Sequence, residues 1–365
     1  MSRTRVCVGL SGGVDSAVAA LLLQRVGYAV DAVFMKNWEE DDTEEHCSAA
    51  EDYAAARAVA THLGIELRAV NFAAEYWDRV FALFLAEHRA GRTPNPDVLC
   101  NKEIKFRAFL DYALATGADY IATGHYARLS THDNRPRLLK GRDPNKDQSY
   151  FLYALQASQL ERVLFPIGDL TKPEVRRLAR EAGLPNHARR DSTGICFIGE
   201  RNHRDFLARY LKPEPGDIRT LSGALKGRHQ GLAFYTIGQR QGLGIGGAGE
   251  PWYVVAKDPA TGTLYIEQGE HPALYSEALI AADLTWVNEA PAAERPLGAK
   301  TRYRQTDQAC TLSWLDTRTL RVRFDQPQRA ITPGQALVLY AGDECLGGGT
   351  IQTAALAFEN AAACR

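Results

Sequence analysis

No two of the chain's seven cysteines stand as a CxxC pair; they lie at Cys7, Cys47, Cys100, Cys196, Cys310, Cys345 and Cys364. That spacing excludes zinc ribbons and thioredoxin-type motifs, and no metal-ligating cysteine set is expected. No run of eighteen apolar residues occurs, so no membrane span is implied. The opening MSRTRVCVGLSGG passes straight into an apolar strand pattern and lacks the long apolar stretch of a secretory signal. A cytoplasmic address and mostly reduced thiols are the expectation. There is no internal repeat and no low-complexity tract. A basic surplus is missing as well: formal net charge is −1, so a nucleic-acid partner leaves no mark on the average.

The local charge is uneven. EEDDTEE (39–45) is an acidic block that would repel phosphate, whereas Lys300 to Arg329 holds seven Lys/Arg against three Asp. A length of 365 residues suggests two or three domains, and 45% apolar content suits a soluble globular chain.

VCVGL (6–10) is a short apolar run broken by SGG, consistent with a buried parallel strand. A helix at 17–27, a strand at 29–35, a helix at 49–63 and a strand at 65–70 follow. Helices at about 74–89 and 102–116 lead to strand-then-loop at 118–125. This alternation predicts a doubly wound parallel sheet. TKPEVRRLAREAGL (171–184) reads as one more helix, with Thr171 as N-cap and Gly183 as stop. From about Phe206 the pattern changes to short β-type runs between Gly- and Pro-rich turns. From about 277 it is all-β, as in a small barrel or sandwich. The expected division is 1–205, a small central β-rich domain at 206–276, and a β-barrel-like domain at 277–365.

Two motifs carry chemistry. GLSGGVDS runs through Gly9, Leu10, Ser11, Gly12, Gly13, Val14, Asp15 and Ser16, between a strand and a helix. Glycines let backbone N–H groups face an anion, the helix start adds positive potential, and the serines add hydroxyl donors. No GK[ST] follows, so this is not a Walker A loop. NPDVLCNKEIKF (95–106) stiffens a loop with proline and then starts a helix. Asp97 and Cys100, three residues apart, share a face of that first turn.

With its SGGxDS signature, the chain resembles the PP-loop ATP pyrophosphatases, which adenylate a substrate oxygen and release pyrophosphate. The resemblance implies ATP as cofactor, Asp15 near its phosphates through Mg²⁺, and nucleotide contacts at Met35 and Gly124. GLSGGVDS, NPDVLCNKEIKF, GHYAR, KDQSYFL and STGICFIGER occur in this order, with GQRQGLGIGG, RYRQ and GQALVLY beyond them. Over nearly its whole length the chain is similar to the bacterial tRNA-specific 2-thiouridylases of the MnmA type. That family implies a persulfide on Cys196, a partner thiol at Cys100 and proton handling by Asp97. It places Asn95, Pro96 and Asp97 at the target base. Further RNA contacts are implied at His125, Lys146, Asp147, Gln148, Arg302, Tyr303 and Gln335.

The chemistry is self-consistent. Replacing a carbonyl oxygen by sulfur needs the oxygen made into a leaving group, a sulfur nucleophile, and a second thiol to take up the spent one. The implied partners are tRNA and a persulfide-donating relay protein, with the chain a monomer. Two other readings stay open from the sequence. One is a PP-loop adenylating synthetase acting on a small molecule. The other is a non-catalytic RNA-binding protein.

Overall fold

A computed structural model describes residues 3–39, 48–191, 203–292 and 295–356. Five parallel strands form the first sheet: β1 (Arg5–Gly9), β2 (Ala29–Lys36), β3 (Leu67–Asn71), β4 (Tyr120–Ala122) and β7 (Val163–Leu164). Their order is β3-β2-β1-β4-β7. β1 is therefore central, and Val6 and Val8 are fully buried. Helices α1 (Val14–Val26) and α2 (Ser48–Leu63) pack against it as the alternation predicts. α1 stops at Gly27, whose φ of 99° suits a residue without a Cβ. The chain winds outward through β2 and β3, then crosses back to lay β4 on the other side of β1. The β1–β4 boundary is thus the topological switch point, the place where open α/β sheets bind their ligands.

Three helical pieces, Ala73–Tyr76, Trp77–Phe81 and Ala82–Arg89, follow one another without a break, and so do Pro96–Leu99, Cys100–Ala108 and Phe109–Ala115. The middle piece of each is π-type. Such widened turns gather at functional sites, and the second of them begins at Cys100.

The sequence reading did not foresee a hairpin of β5 (Ala127–His132) and β6 (Arg135–Lys140). Its turn residues Asp133 and Asn134 both have positive φ, the geometry of a two-residue hairpin turn. The hairpin leaves the first sheet and joins the β-rich end of the chain.

The central sheet is β10 (Trp252–Asp258), β11 (Thr263–Gln268), β8 (Gly216–Arg219) and β9 (Leu225–His229), in that order. The last six strands are β12 (Tyr275–Trp286), β13 (Leu297–Lys300), β14 (Gln308–Trp314), β15 (Leu320–Arg329), β16 (Ala336–Ala341) and β17 (Glu344–Leu356). They run β12-β15-β14-β13-β16-β17, and a β12–β17 pairing closes them into a barrel. β14 shows why: Cys310 and Leu312 point inward and their neighbours outward, the period-2 pattern of a one-sided strand. β16 breaks the alternation because both of its faces are covered. Leu337 and Leu339 fill the barrel, while Ala336, Val338 and Tyr340 join the core of the first domain. β17 also pairs with β6 through Glu344–Leu139 and Cys345–Leu138. The barrel is thereby fixed to the α/β domain by a shared sheet as well as by packing.

Candidate active site

Leu10 leaves β1 with its N–H donating to the Val33 carbonyl at 2.9 Å and its side chain fully buried. Gly12 then takes φ +80°, and a Cβ there would lie 2.4 Å from the Asp52 carbonyl oxygen. Only glycine fits that turn. Gly13 caps α1 through its backbone. Ser16 turns its hydroxyl back: it donates to the Gly13 carbonyl at 3.1 Å and accepts the Ser11 N–H at 3.2 Å. The hydroxyls of Ser11 and Ser16 lie 3.3 Å apart. Val14 and Asp15 stand in the first turn, where backbone N–H groups have no intrahelical acceptor. The Met35 methyl lies 3.1 Å from where a Gly9 Cβ would be, so Met35 lines the floor of the loop.

Gly124 sits across the switch point. A Cβ on it would approach the Ser16 nitrogen to 2.6 Å and the Asp15 carbonyl carbon to 2.7 Å. The β4 loop therefore touches the start of α1 backbone to backbone. Gly9 to Ser16, Met35 and Gly124 are brought together.

Asp15 is the hub of an ion cluster that the sequence reading missed apart from Lys146. Tyr126 donates its hydroxyl to Oδ1 at 2.8 Å, and Lys172 donates Nζ to Oδ1 and Oδ2 at 2.8 and 2.9 Å. Burial, reinforced by the Asp15 charge, raises the Tyr126 pKa, so this hydroxyl keeps its proton. Lys172 also pairs with Asp191 at 2.7 Å, and Lys146 and Arg176 each reach Asp191 at 2.6 Å. Burial acts to raise the Asp191 pKa, but hydrogen bonds from Lys146 and Lys172 prevail and hold it at about 2. On the other flank, Asn186 donates to the Gly12 carbonyl at 2.8 Å, and Arg189 joins the same carbonyl to Asp52. A capping box of Thr171 and Glu174 starts the helix Lys172–Glu181 and sets Lys172 in its first turn. The cap was readable in TKPEVR; that its lysine reaches Asp15, 157 residues away, was not.

The Asn95 side chain accepts the Asp97 N–H at 3.2 Å, with Pro96 at the first helical position. This is an N-cap with a preset φ. Cys100 follows one turn on and is 0% exposed, inside the core that also holds Ile104, Phe106 and Phe109. The thiol is not displayed in this structure. Cys196 lies outside the described residues. Gln335 donates its amide to the carbonyls of Thr93 (2.7 Å) and Pro94 (3.3 Å), so the barrel holds the loop that leads into Asn95–Asp97.

The remaining implied RNA residues divide into buried and open. His125 is buried between Phe106 and Phe165, with Nδ1 2.8 Å from the Thr123 hydroxyl. Burial first, and Lys105 second, push its pKa well below the usual histidine value, so it is neutral. Asp147 is buried too, accepting from the N–H groups of Gly141 and Ser149 and facing Lys300 at 3.4 Å. Gln148 accepts the Tyr126 N–H at 2.9 Å and so supports the residue that holds Asp15. These three build the site from behind. Arg302 and Tyr303 instead line an open groove of about 460 Å³ with Arg304, Gln305, Gln308 and Arg329. The Tyr303 ring packs at a tilt of 45° against Phe151, centroids 4.5 Å apart, which ties that groove to the KDQSYFL segment.

Among the described residues no group of three or more His, Cys, Asp or Glu side chains could hold a metal ion, and no helix is long and apolar enough to cross a membrane.

Three family models match in sequence order: a "tRNA methyl transferase HUP domain" over residues 4–200, a "tRNA methyl transferase PRC-barrel domain" over 204–268, and an "Aminomethyltransferase beta-barrel domain" over 276–351. Among curated relatives, the tRNA-specific 2-thiouridylase MnmA of Methylococcus capsulatus is 61% identical over 357 residues, covering 96% of each chain. That of Thiobacillus denitrificans is 62% identical over 356 residues, covering 95% of this chain and 99% of the relative. That of Pseudomonas aeruginosa is 59% identical over 359 residues, covering 96% and 95%. Likeness of this order along the whole length, on a loop built as the PP-loop signature requires, leaves one conclusion: the chain belongs to the tRNA-specific 2-thiouridylase (MnmA) family.

Proposed function

We propose that the protein is an ATP-dependent tRNA sulfurtransferase. It adenylates the C2 oxygen of the wobble uridine and replaces that oxygen with sulfur from a cysteine persulfide, giving 2-thiouridine. The observation that carries this reading is the full-length identity to proteins named tRNA-specific 2-thiouridylase, joined to a loop whose geometry suits phosphates.

The residues fit a nucleotide. Gly12 and Gly124 leave no room for a Cβ, so backbone lines the cradle. The first turn of α1 offers N–H groups, with Lys172 paired to Asp15 in that turn and Arg189 on the Gly12 carbonyl. Gly9 to Ser16 would hold the phosphates, Met35 would face the adenine, and Asp15 would bind Mg²⁺. ATP supplies the adenylyl group that turns the uridine oxygen into a leaving group.

The protein's own residues do the rest. Asn95, Pro96 and Asp97 receive the unstacked base, and Asp97 handles the proton. Cys196 receives its outer sulfur from a persulfide-bearing relay protein. That sulfur forms the new bond to C2, and the oxygen departs with AMP. The Cys100 thiolate then attacks Sγ of Cys196, which breaks the persulfide bond and leaves the sulfur on the base. The resulting disulfide is reopened by a thiol reductant. Since Cys100 is fully buried in the structure, its turn has to open for this step. Lys146, Arg302, Tyr303 and Gln335 serve the RNA surface, and the protein works as a cytoplasmic monomer.

The test is pyrophosphate release. It should require unmodified tRNA with a wobble uridine and stay at background with free nucleosides or small amide-forming substrates. Release driven by a small molecule and indifferent to tRNA would favour an adenylating synthetase. Tight tRNA binding with no release would favour a non-catalytic RNA-binding protein.

A further inference from the structure

The segment 91–94 leads directly into Asn95–Asp97 and is bonded to both of the other domains. On the central side, Lys257 of β10 donates Nζ to the Gly91 carbonyl at 2.9 Å, and the hydroxyls of Thr93 and Thr236 lie 3.3 Å apart. On the barrel side, Thr93 donates its N–H to the Pro333 carbonyl at 2.9 Å, beside the Gln335 bonds to Thr93 and Pro94. Gly334 takes φ +92°, and a Cβ there would lie 2.9 Å from the Thr93 backbone. This barrel segment is laid on β17: the Gly334 N–H donates to the Ile351 carbonyl at 2.8 Å, and the Ile351 N–H to the Gln335 carbonyl at 2.9 Å.

The motif GQRQGLGIGG, which neither the phosphate loop nor the base pocket uses, opens at the same junction. Gln239 accepts the Thr236 N–H on its side chain at 3.0 Å and donates its own N–H to the Thr236 carbonyl at 3.0 Å, closing the turn that presents Thr236. Gly238 in that turn has φ +81°, and a Cβ on it would meet the Ala330 Cβ of the barrel at 2.7 Å. Burial pulls the Lys257 pKa down to about 8. An ammonium group desolvated in this way needs the carbonyl it meets. Pro94 and Pro96 fix φ on the way to Asp97, so a shift at Thr93 is passed along rather than absorbed.

We propose that Lys257 and Thr236 are positioning residues: through the strap 91–94, the central domain sets where Asn95–Asp97 hold the target base. This rests on the sulfurtransferase reading given above, and it gives the central domain a part in the reaction.

Steady-state pyrophosphate release with unmodified tRNA, joined to hydrogen–deuterium exchange on the full chain, tests it. In Lys257→Met and in Thr236→Val, kcat should fall about tenfold to a hundredfold, the range for a misplacement approaching 1 Å. KM for tRNA and for ATP should stay within about twofold, because the loss falls on the reacting geometry and not on binding. The peptide spanning 91–99 should exchange faster in both variants, and the peptide spanning 9–26 should keep the wild-type rate. Lys257→Arg keeps a charged donor and should restore both kcat and protection.

A raised tRNA KM at unchanged kcat would make Lys257 an RNA contact and overturn the proposal. So would wild-type kcat in both variants, lost kcat with unaltered exchange over 91–99, or a loss that Lys257→Arg does not restore. Faster exchange along the whole chain would mean general destabilisation and would overturn it too. A wild-type protein that released no pyrophosphate with tRNA would overturn the sulfurtransferase reading together with this one. Normal wild-type release with indifferent variants would overturn this one alone.

Discussion

Replacing Gly124 by alanine adds a single methyl group at the point where the β4 loop meets α1. The new Cβ would lie 2.6 Å from the Ser16 nitrogen and 2.7 Å from the Asp15 carbonyl carbon. Ordinary contact begins near 3.4 Å, so one backbone must retreat by about 0.8 Å. Neither partner is the loose end of a side chain, and overpacking of this kind costs about 1–3 kcal/mol. The displaced residues are Asp15, which ties the loop to its ion cluster, and Ser16, whose hydroxyl holds Ser11 and Gly13. A misplacement near 1 Å at a reacting centre costs on the order of 10²-fold in rate. We therefore expect Gly124→Ala to lose about 1–3 kcal/mol in urea denaturation and about two orders of magnitude in tRNA-dependent pyrophosphate release. Gly27→Ala is the control. It meets no neighbour within 4 Å but has φ 99°, so it should cost about 1 kcal/mol of stability and leave release intact. Wild-type release from Gly124→Ala would refute the idea that this close approach positions the loop.

Asp15→Ala should abolish pyrophosphate release while tRNA affinity, measured by filter binding, stays within about twofold, because the open groove proposed for RNA lies on the barrel. Arg302→Ala and Arg304→Ala should each weaken tRNA binding and reduce the slope of log K against log salt by about 1 if each contacts one phosphate. Unchanged slopes would give the groove another occupant. Substitution is the right tool there, because truncation before β12 would strip β6 of its β17 partner and uncover Tyr150 and Leu138. Neutral, buried His125 gives a pH dependence. Its folded pKa is depressed while the unfolded one stays near 6.5, so the unfolded chain binds the extra proton. The protein pays no such penalty above pH 6.5 and loses stability below it, with a slope approaching about 1.4 kcal/mol per pH unit. His125→Asn should flatten that part of the profile in thermal melts; an unchanged slope would mean that another group titrates.

The doubly wound sheet was legible because its strands are short apolar runs and its helices carry ordinary start and stop residues. Thr171, Glu174 and Gly183 announce one helix, and Gly27 ends another. The hairpin β5–β6 escaped notice because Pro136 and a run of basic residues hid its alternation. The structure tolerates Pro136 because β17 pairs only with Leu138 and Leu139. The loop Gly9–Ser16 was legible as a tight strand-to-helix turn, since its glycines mark positive φ and close backbone approach. The cluster around Asp15 was not. Tyr126, Lys172 and Asp191 lie 111 to 176 residues away and meet it only through the fold. His125 and Asp147 show the converse limit. Sequence alone does not reveal that both are buried, with His125 beside the Thr123 hydroxyl and Asp147 accepting the Gly141 N–H.

The central claim is that sulfur replaces a uridine oxygen in an ATP-dependent step that passes through Cys196. The direct measurement supplies the purified protein with unmodified tRNA, ATP and a persulfide donor, then digests the tRNA for nucleoside mass spectrometry. The account predicts 2-thiouridine only when ATP is present, none with Cys196→Ser, and AMP released in equal amount. Unmodified uridine from the complete mixture, or 2-thiouridine formed as well without ATP or with Cys196→Ser, would contradict it.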